Sequence, residues 1–296
     1  MQTRRGFLKT SAALLPAMAM AGSRAWALER VPLGVQLFTV RKQAQQDLPH
    51  VLEQIRRIGY QQVEAFAGLY TFSADALRHM IVDAGLQVPS GHFNYQDFGT
   101  RFNYASELGL EWMVCPVIPS TMWNSFEGFR TAAKQFNEWA RQAKDMGIRF
   151  AFHNHDYEFR PLPPSEQRVA AGPGITATTG YDVLMQETDP ELVFFELDCY
   201  WAAQAGHDPL TLMRLLGKRL KMVHLKDRAA GAVVSYDMGP SSAHFVPIGQ
   251  GTLDWRAIMA EAERLNVEYY FMEQDQTKGP PIQALRESYR YMESIL

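Results

Sequence analysis

The chain has 296 residues, of which 47% are hydrophobic and 21% are charged, and this composition excludes disordered, collagen-like and coiled-coil proteins. Its 29 Lys and Arg and 32 Asp and Glu give a net charge of −3, so we expect no basic surface for nucleic acid. Two Cys are too few for a disulfide framework. Cys115 and Cys199 fall in different strand-like segments; we expect two buried thiols, and a disulfide between them is the alternative.

The first 27 residues have the layout of an export signal. Arg4 and Arg5 precede an Ala-rich apolar run, and Ala25 and Ala27 are the small residues that a signal peptidase reads. The arginine pair resembles a twin-arginine (Tat) signal, which predicts export to the periplasm or beyond the cell and no membrane attachment after cleavage. An amphipathic first helix or a membrane anchor is the alternative, but a bilayer requires roughly 20 apolar residues.

Strand-like and helix-like segments alternate eight times through residues 28–296. Glycines such as Gly109 and Gly147 follow several helical segments, as C-terminal caps do. The pattern predicts an α/β protein, a single closed (β/α)8 TIM barrel; an open doubly wound sheet is the alternative, but no Gly-rich phosphate turn follows the first strand. The predicted strands are 33–38, 62–66, 87–92, 112–116, 149–153, 192–197, 220–225 and 268–273. The predicted helices are 46–58, 73–84, 101–108, 125–146, 179–188, 208–217, 254–265 and 281–295.

Two predicted connections are longer than a barrel needs. Residues 158–178 and 227–252 are rich in Pro and Gly, and each connection follows a strand. We therefore expect both on the face where barrel enzymes bind their substrates. Long loops at that face most often cover a substrate.

Titratable residues collect at the carboxyl ends of the predicted strands. Residues two apart in a strand share a face, so pairs such as His153 and His155 point the same way, and a closed barrel brings all these ends to one rim. Buried acids without partners are costly, so a divalent cation is expected. Mixed imidazole and carboxylate ligands suit Mn²⁺, Zn²⁺, Fe²⁺ or Co²⁺, and Mg²⁺ less well. The strand-end residues are Glu64, His92, His153, Asn154, His155, Glu196, Asp198, His224, Lys226 and Glu273.

Six segments carry a family resemblance: 63–66 (VEAF), 91–93 (GHF), 152–159 (FHNHDYEF), 196–201 (ELDCYW), 223–227 (VHLKD) and 247–255 (PIGQGTLDW). Together they resemble the xylose-isomerase-like TIM barrels, also called the sugar phosphate isomerase/epimerase superfamily. The resemblance implies one metal ion held from strands five to eight. Asp198, His224 and Glu273 match three of its ligands. The remaining ligand comes from strand five, where relatives often have Glu-Asn-His and this chain has His153-Asn154-His155. Either imidazole is therefore the expected ligand.

The resemblance also implies the chemistry, which is enolisation beside a carbonyl. Glu273 is expected to act as base and ligand, and Lys226 and His92 to donate protons or steady an oxyanion. We expect a bound cation to lower the pKa of Lys226; a solvated loop lysine is the alternative.

Three further residues are expected near the substrate. Glu64 is predicted to bind sugar hydroxyls, Glu158 to line the pocket or cap a loop, and Trp201 to stack on a sugar face. Two departures from the family pattern put a two-base epimerisation in doubt. His replaces one of the two opposed carboxylates of the family's epimerases, and Trp201 stands where some relatives have His.

A metal-dependent isomerase or epimerase is the function that these observations predict. Export favours an unphosphorylated sugar as the substrate, because sugar phosphates are kept in the cytoplasm. The alternative is a lyase or hydratase acting on 3-keto-glycosides, and a non-catalytic sugar-binding protein is the candidate from another class. An enzyme like endonuclease IV needs three metals and more ligands than this rim supplies. The expected partner is a small carbohydrate, with no nucleic acid, and oligomer formation stays open.

Overall fold

The computed structural model describes residues 32–166, 178–239 and 244–296. Their strands, in chain order, are β1 (Leu33–Gln36), β2 (Gln62–Phe66), β3 (Gln87–His92), β4 (Trp112–Cys115), β5 (Arg149–His153), β6 (Val193–Asp198), β7 (Leu220–Leu225), β8 (Asp227–Arg228), β9 (Phe245–Val246) and β10 (Tyr269–Met272). Strands β1 to β7 and β10 form a closed parallel barrel, in which β1 pairs with both β2 and β10. The predicted fold class is therefore confirmed. The predicted signal, residues 1–27, lies outside the described residues.

Helices surround the barrel, and each predicted helix lies within two residues of an observed one at both ends. The short α7 was not predicted, because it begins directly where β6 ends, with Asp198 as its cap accepting the Trp201 N–H at 2.9 Å. The helices are α1 (Arg41–Ala44), α2 (Leu48–Ile58), α3 (Ala74–Asp83), α4 (Phe102–Leu108), α5 (Phe126–Asp145), α6 (Gly180–Glu187), α7 (Cys199–Gln204), α8 (Pro209–Leu216), α9 (Trp255–Arg264) and α10 (Pro281–Ile295).

The longest helix, α5, shows why the sequence forms these elements. Ser125 caps its first turn by accepting the Gly128 N–H at 3.0 Å. Phe129, Ala133 and Phe136 follow at spacings of three and four residues and are all buried. Such spacing gives a helix one apolar face, and α5 packs that face against β5 and α6.

The barrel interior is built in layers that change from apolar to polar toward the carboxyl ends of the strands. Along β6, Phe194, Glu196 and Asp198 follow at two-residue spacing on one face. Phe194 packs against a fully buried apolar cluster, and the two carboxylates lie beyond it. That cluster consists of Trp112, Val114, Ala151, Met222 and Phe271.

The loop that follows β7 is anchored by one buried carboxylate. Asp227 accepts hydrogen bonds from the Gly249 N–H at 2.9 Å, the Gly251 N–H at 3.1 Å and the Trp255 indole N–H at 2.9 Å. Strands β8 and β9 pair antiparallel beside it. The 247–255 segment that the sequence analysis singled out is therefore a structural support for the rim.

Two smaller expectations can be compared with the fold. Cys115 and Cys199 are both buried and free, as predicted. In the part of the chain that the structure describes, no helix is both long enough and apolar enough to cross a bilayer.

We expect Gly251→Ala to destabilise the protein, because an added Cβ would overlap the Asp227 carboxylate and the Arg228 carbonyl oxygen. Overpacking of this kind costs about 1–3 kcal/mol, measurable as a lower free energy of unfolding in urea. Gly279→Ala is the matched control, because an added Cβ there meets no atom within 4 Å. Equal stability of the two variants would contradict the anchoring role of Asp227.

Candidate active site

The register of the parallel strands brings the predicted side chains together at the carboxyl end of the barrel. His153 on β5 is paired with Glu196 on β6, and Asp198 is paired with His224 on β7. Glu273 follows β10 and is held there by its N–H, which donates to Leu225 at 3.2 Å. Side chains that are far apart in the sequence are therefore packed into one rim.

A buried carboxylate, Glu196, lies at the centre of the deeper polar layer. Its Oε2 lies 2.7 Å from His92 Nε2, 3.1 Å from His153 Nδ1 and 3.3 Å from His224 Nε2. Burial opposes ionisation, but the charges of His224 and His92 hold the pKa of Glu196 well below its usual value. Glu196 is therefore an anion surrounded by imidazoles.

Glu64 completes this deeper layer from β2. Its Oε2 accepts from Gln36 Nε2 at 2.8 Å and lies 2.7 Å from His224 Nε2, while its Oε1 accepts from the Ser90 hydroxyl at 2.5 Å. Glu64 is 0% exposed. The expectation that Glu64 binds sugar hydroxyls does not fit this position, because donors of the protein occupy both its oxygens. We call Glu64, Glu196 and His92 the inner layer.

Asp198 and Glu273 lie on the opposite side of the His153 and His224 rings from Glu196 and Glu64. His224 Nδ1 lies 3.0 Å from Glu273 Oε2 and 3.9 Å from Asp198 Oδ2, and His153 Nε2 lies 3.9 Å from Asp198 Oδ2. One ligand atom from each of these four residues lies within 4.8 Å of the others. We call His153, Asp198, His224 and Glu273 the outer group. His153 belongs to both groupings that fit a metal, whereas His155 belongs to neither.

Lys226 is fully buried against the outer group rather than solvated in a loop. Its Nζ lies 2.9 Å from Asp198 Oδ2, 2.7 Å from Glu273 Oε2 and 3.1 Å from Asp275 Oδ1. Burial lowers the pKa of Lys226, but the three carboxylates outweigh burial and hold this pKa well above its usual value. The expected depression of the Lys226 pKa is therefore not found in the metal-free arrangement. Burial also raises the pKa of Asp275 to about 7.

The four rim imidazoles divide into two charge states. Burial, together with the charge of His224, lowers the pKa of His153, and burial, together with the charge of Lys226, lowers that of His155 well below its usual value. For His92 the two inner-layer glutamates outweigh burial and raise the pKa to about 9. For His224, Glu196 has the same effect and raises the pKa well above its usual value. At neutral pH, His153 and His155 are neutral, and His92 and His224 are protonated.

A cavity of about 400 Å³ opens onto the outer group. His92, His153, His155, Glu273 and Asp275 contribute its polar lining. Its apolar lining includes Phe38, Phe66, Trp201, Met238 and Phe245. A site with one apolar wall and a few convergent polar groups is the usual form of a small-molecule site.

Three sequence-predicted residues near this cavity have different positions. The His155 ring lies 5.2 Å from the Trp201 ring, and both residues line the cavity. Glu158 is fully buried, its Oε2 accepts the His155 N–H at 3.0 Å, and burial raises its pKa well above the usual value. Of the two expectations for Glu158, the geometry fits the loop cap, and Glu158 is not part of the cavity lining.

Two acidic residues of the rim were not assigned a role from the sequence. Glu196 was noted only as a strand-end acid, although its two-residue spacing from Asp198 already placed both on one face. Asp275 has the same spacing from Glu273, but it follows the strand, where this periodicity no longer applies. The sequence therefore carried a signal for Glu196 and only a weak one for Asp275.

The outer group suits a divalent cation. Two imidazoles and two carboxylates are a donor set typical of Mn²⁺, Fe²⁺, Co²⁺ or Zn²⁺. The Lys226 ammonium contacts both Asp198 and Glu273, so this position already attracts positive charge. A cation bound there would be within reach of the cavity that Glu273 and His153 line.

The imidazoles and carboxylates lie at the carboxyl end of the barrel strands, where TIM-barrel enzymes place their active sites. A family model described as Xylose isomerase-like TIM barrel matches residues 52–295, so the chain belongs to that family. This confirms the resemblance that the sequence segments carried.

Curated relatives of this chain include two inosose dehydratases. The chain is 25% identical over 190 residues to the one from Clostridium beijerinckii, covering 61% of this chain and 59% of that protein. It is 24% identical over 215 residues to the one from Clostridium botulinum, covering 67% of each chain. The match to the first relative thus spans about three fifths of its length. Both relatives are enzymes.

Solved structures similar to this chain share its fold. A sugar phosphate isomerase/epimerase from Parabacteroides distasonis matches with a TM-score of 0.74 and 23% identity over 95% of this chain and 98% of its own. A probable 3-DHS dehydratase from Bacillus anthracis matches with a TM-score of 0.68 and 10% identity, over 88% and 98% of the two chains.

Lys226→Met should destabilise the metal-free protein by about 3–5 kcal/mol, because it leaves buried carboxylates without their ammonium partner. Urea unfolding in the presence of a chelator measures the loss, and added Mn²⁺ should recover part of it. Lys221→Met, on the strand that precedes Lys226, is the control, since Lys221 forms a partly exposed pair with Glu268 at 3.3 Å and this variant should lose less than about 1 kcal/mol. Equal losses in the two variants would refute the compensating role of Lys226.

Proposed function

We propose that this chain is a metal-dependent lyase that removes the proton beside the ketone of a keto-sugar or keto-polyol and expels the oxygen substituent on the next carbon. In this elimination a C–H and a C–O bond break, a carbon–carbon double bond forms, a base of the protein takes the proton, and the leaving oxygen receives a proton. A bound cation, held by the outer group, would polarise the ketone.

One observation carries the choice of elimination. The two carboxylates that line the cavity, Glu273 and Asp275, both follow β10, so they approach a substrate from one side. A two-base epimerisation with opposed carboxylates needs them on two sides. Imidazoles approach the substrate from the sides away from β10. His155 follows β5 and His92 ends β3, and each of these strands lies three strands from β10, in opposite directions around the barrel.

The protonation states of these two imidazoles suit the two proton transfers. His155 is neutral, and its Nδ1 has no hydrogen-bond partner among the described residues, so it is able to accept a proton. His92, with its raised pKa of about 9, is able to donate one to the leaving oxygen. A pair of groups whose environments separate their pKa values in this way is the usual sign of an acid and a base. Glu273 then serves as a ligand.

The cavity lining supports an uncharged substrate. Among the described lining residues, Arg41 is the only Lys or Arg, and its guanidinium lies 4.1 Å over the Phe38 ring. A phosphate usually calls for several cationic or N–H donors. The aromatic wall suits a sugar or polyol ring, or the aglycone of a keto-glycoside.

The relatives support the same class of reaction. Both curated matches described above are dehydratases, and one of the similar folds is a probable 3-DHS dehydratase. The second candidate is the isomerase or epimerase that the sequence predicted. A cation held by the same outer group would assist the proton abstraction that both reactions share.

Incubation of Mn²⁺-loaded protein in D₂O with free ketoses, a keto-cyclitol and 3-keto-glycosides tests both candidates. We expect loss of water or aglycone by mass spectrometry, and Glu273→Gln should reduce turnover roughly 10²–10⁴-fold because a ligand is lost. Glu107→Gln, an exposed change on α4, is the control that should keep full turnover.

The products separate the candidates. Deuterium incorporation with an unchanged carbon skeleton and no loss of water or aglycone would indicate isomerisation or epimerisation instead. A protein that binds a sugar but exchanges no proton would be a binding protein, and both enzyme proposals would be wrong.

We also propose that the chain is exported through a twin-arginine signal, which the Arg4–Arg5 pair and the apolar run after it support. Cell fractionation should recover the wild-type chain outside the cytoplasm and in shortened form. A variant with Arg4→Lys and Arg5→Lys should stay in the cytoplasm at full length, and its normal export would rule this route out.

A further inference from the structure

The inner layer and the outer group share two imidazoles but contact opposite nitrogens of each ring. His153 presents Nδ1 to Glu196 Oε2 at 3.1 Å and Nε2 to Asp198 Oδ2 at 3.9 Å. His224 presents Nε2 to Glu64 Oε2 at 2.7 Å and Nδ1 to Glu273 Oε2 at 3.0 Å. A ring nitrogen that carries a proton has no lone pair to offer a metal. A cation that binds His224 would displace one of its two ring protons, and each ring would then have one nitrogen for a carboxylate and one for a cation.

Access from the cavity distinguishes the outer group from the inner layer as the site for a cation. His153 and Glu273 of the outer group line the cavity, as does His92 of the inner layer, but the inner-layer carboxylates Glu64 and Glu196 are 0% exposed and do not line it. Directly before His224 on the same face of β7 lies Met222, part of the apolar cluster that fills the barrel. The cavity therefore reaches a carboxylate of the outer group, Glu273, but neither carboxylate of the inner layer, which favours the outer group for a cation that meets the substrate.

We propose that Glu196 and Glu64 are positioning residues that orient His153 and His224 toward a cation bound in the outer group. Glu196 accepts the Nδ1–H of His153, which leaves Nε2 for the metal. Glu64 accepts the Nε2–H of His224, which leaves Nδ1 for the metal. This inference rests on the metal-dependent function proposed above, and it assigns a role to two acids that make no contact with the substrate.

Both positioning carboxylates are themselves fixed by other donors. Glu64 is held by Gln36 at 2.8 Å and by Ser90 at 2.5 Å. Glu196 Oε2 is held by His92 Nε2 at 2.7 Å. The His92 ring in turn stacks on the His224 ring, with 5.3 Å between the centroids and 7° between the planes. A carboxylate held in this way fixes both the tautomer and the rotation of an imidazole ligand.

The same geometry distinguishes between the two imidazoles that the sequence left open. The Nδ1 of His153 contacts the Glu196 carboxylate, and such a carboxylate is the usual support of a metal-bound imidazole. The Nδ1 of His155 has no hydrogen-bond partner among the described residues, and its ring faces Trp201 in the cavity. His153 is therefore assigned as the ligand, and His155 is left free for the substrate.

Cobalt binding to the full chain tests this assignment, because Co²⁺ reports its ligands in the visible spectrum. Glu196→Gln and Glu64→Gln keep the side-chain size and should weaken Co²⁺ binding about 10–100-fold in a chelator competition, with a shifted spectrum. Glu158→Gln is the control of the same size, since it alters a buried carboxyl group that accepts a hydrogen bond from the His155 backbone instead of from either ligand ring. Its Co²⁺ affinity and spectrum should equal those of the wild type, as should those of His155→Ala.

The outcomes separate the inference from the function on which it rests. Wild-type affinity and an unchanged spectrum in Glu196→Gln would overturn the inference, and so would a complete loss of the Co²⁺ spectrum, which would make Glu196 a direct ligand. If Glu196→Gln fails to fold by circular dichroism, Glu64→Gln decides in the same way through His224. A wild-type chain that binds no Co²⁺, Mn²⁺ or Zn²⁺ would instead remove the metal-dependent function itself.

Discussion

Charge compensation inside the barrel is the constraint on which the rest of this structure depends. Five carboxylates at the rim are buried or nearly so, and each faces an imidazole or the Lys226 ammonium: Glu64, Glu196, Asp198, Glu273 and Asp275. An uncompensated buried charge costs several kcal/mol, so no member of this network is independent of the others. The network also raises the pKa of His92 through its two glutamates, whereas burial lowers that of His155.

The fold supplies this network by a simple periodicity. Residues at two-residue spacing on a strand enter successive layers of a parallel barrel, so Phe194, Glu196 and Asp198 lie one above another. The apolar cluster below keeps water away from the inner layer, which strengthens its hydrogen bonds. The outer group, one layer further, meets the cavity. The outer group, the inner layer and the apolar cluster thus follow one another along the barrel axis.

Much of this could be predicted from the sequence, because the relevant signals are local. Strand limits followed from apolar runs, and helix ends from the glycines that follow them, such as Gly109 and Gly147. The family assignment rests on segments that lie at the strand ends and that the family model confirms. Other expectations depended on the partners of a side chain, and these were the ones that changed. Glu64 was expected to meet the substrate and instead receives hydrogen bonds from Gln36 and Ser90.

The sequence by itself determined the barrel, the rim on which the chemistry is concentrated, and the mixture of imidazoles and carboxylates there. Residues two apart in a strand lie on the same face of the sheet, and this follows from the sequence without any tertiary contact. Only the tertiary structure decided which nitrogen of His153 and His224 meets which carboxylate, and that Lys226 is a buried cation. The reason is that these facts depend on strands brought together from positions 160 residues apart, as in the contact between His224 and Glu64. Pairing across that distance is set by the register of the whole barrel.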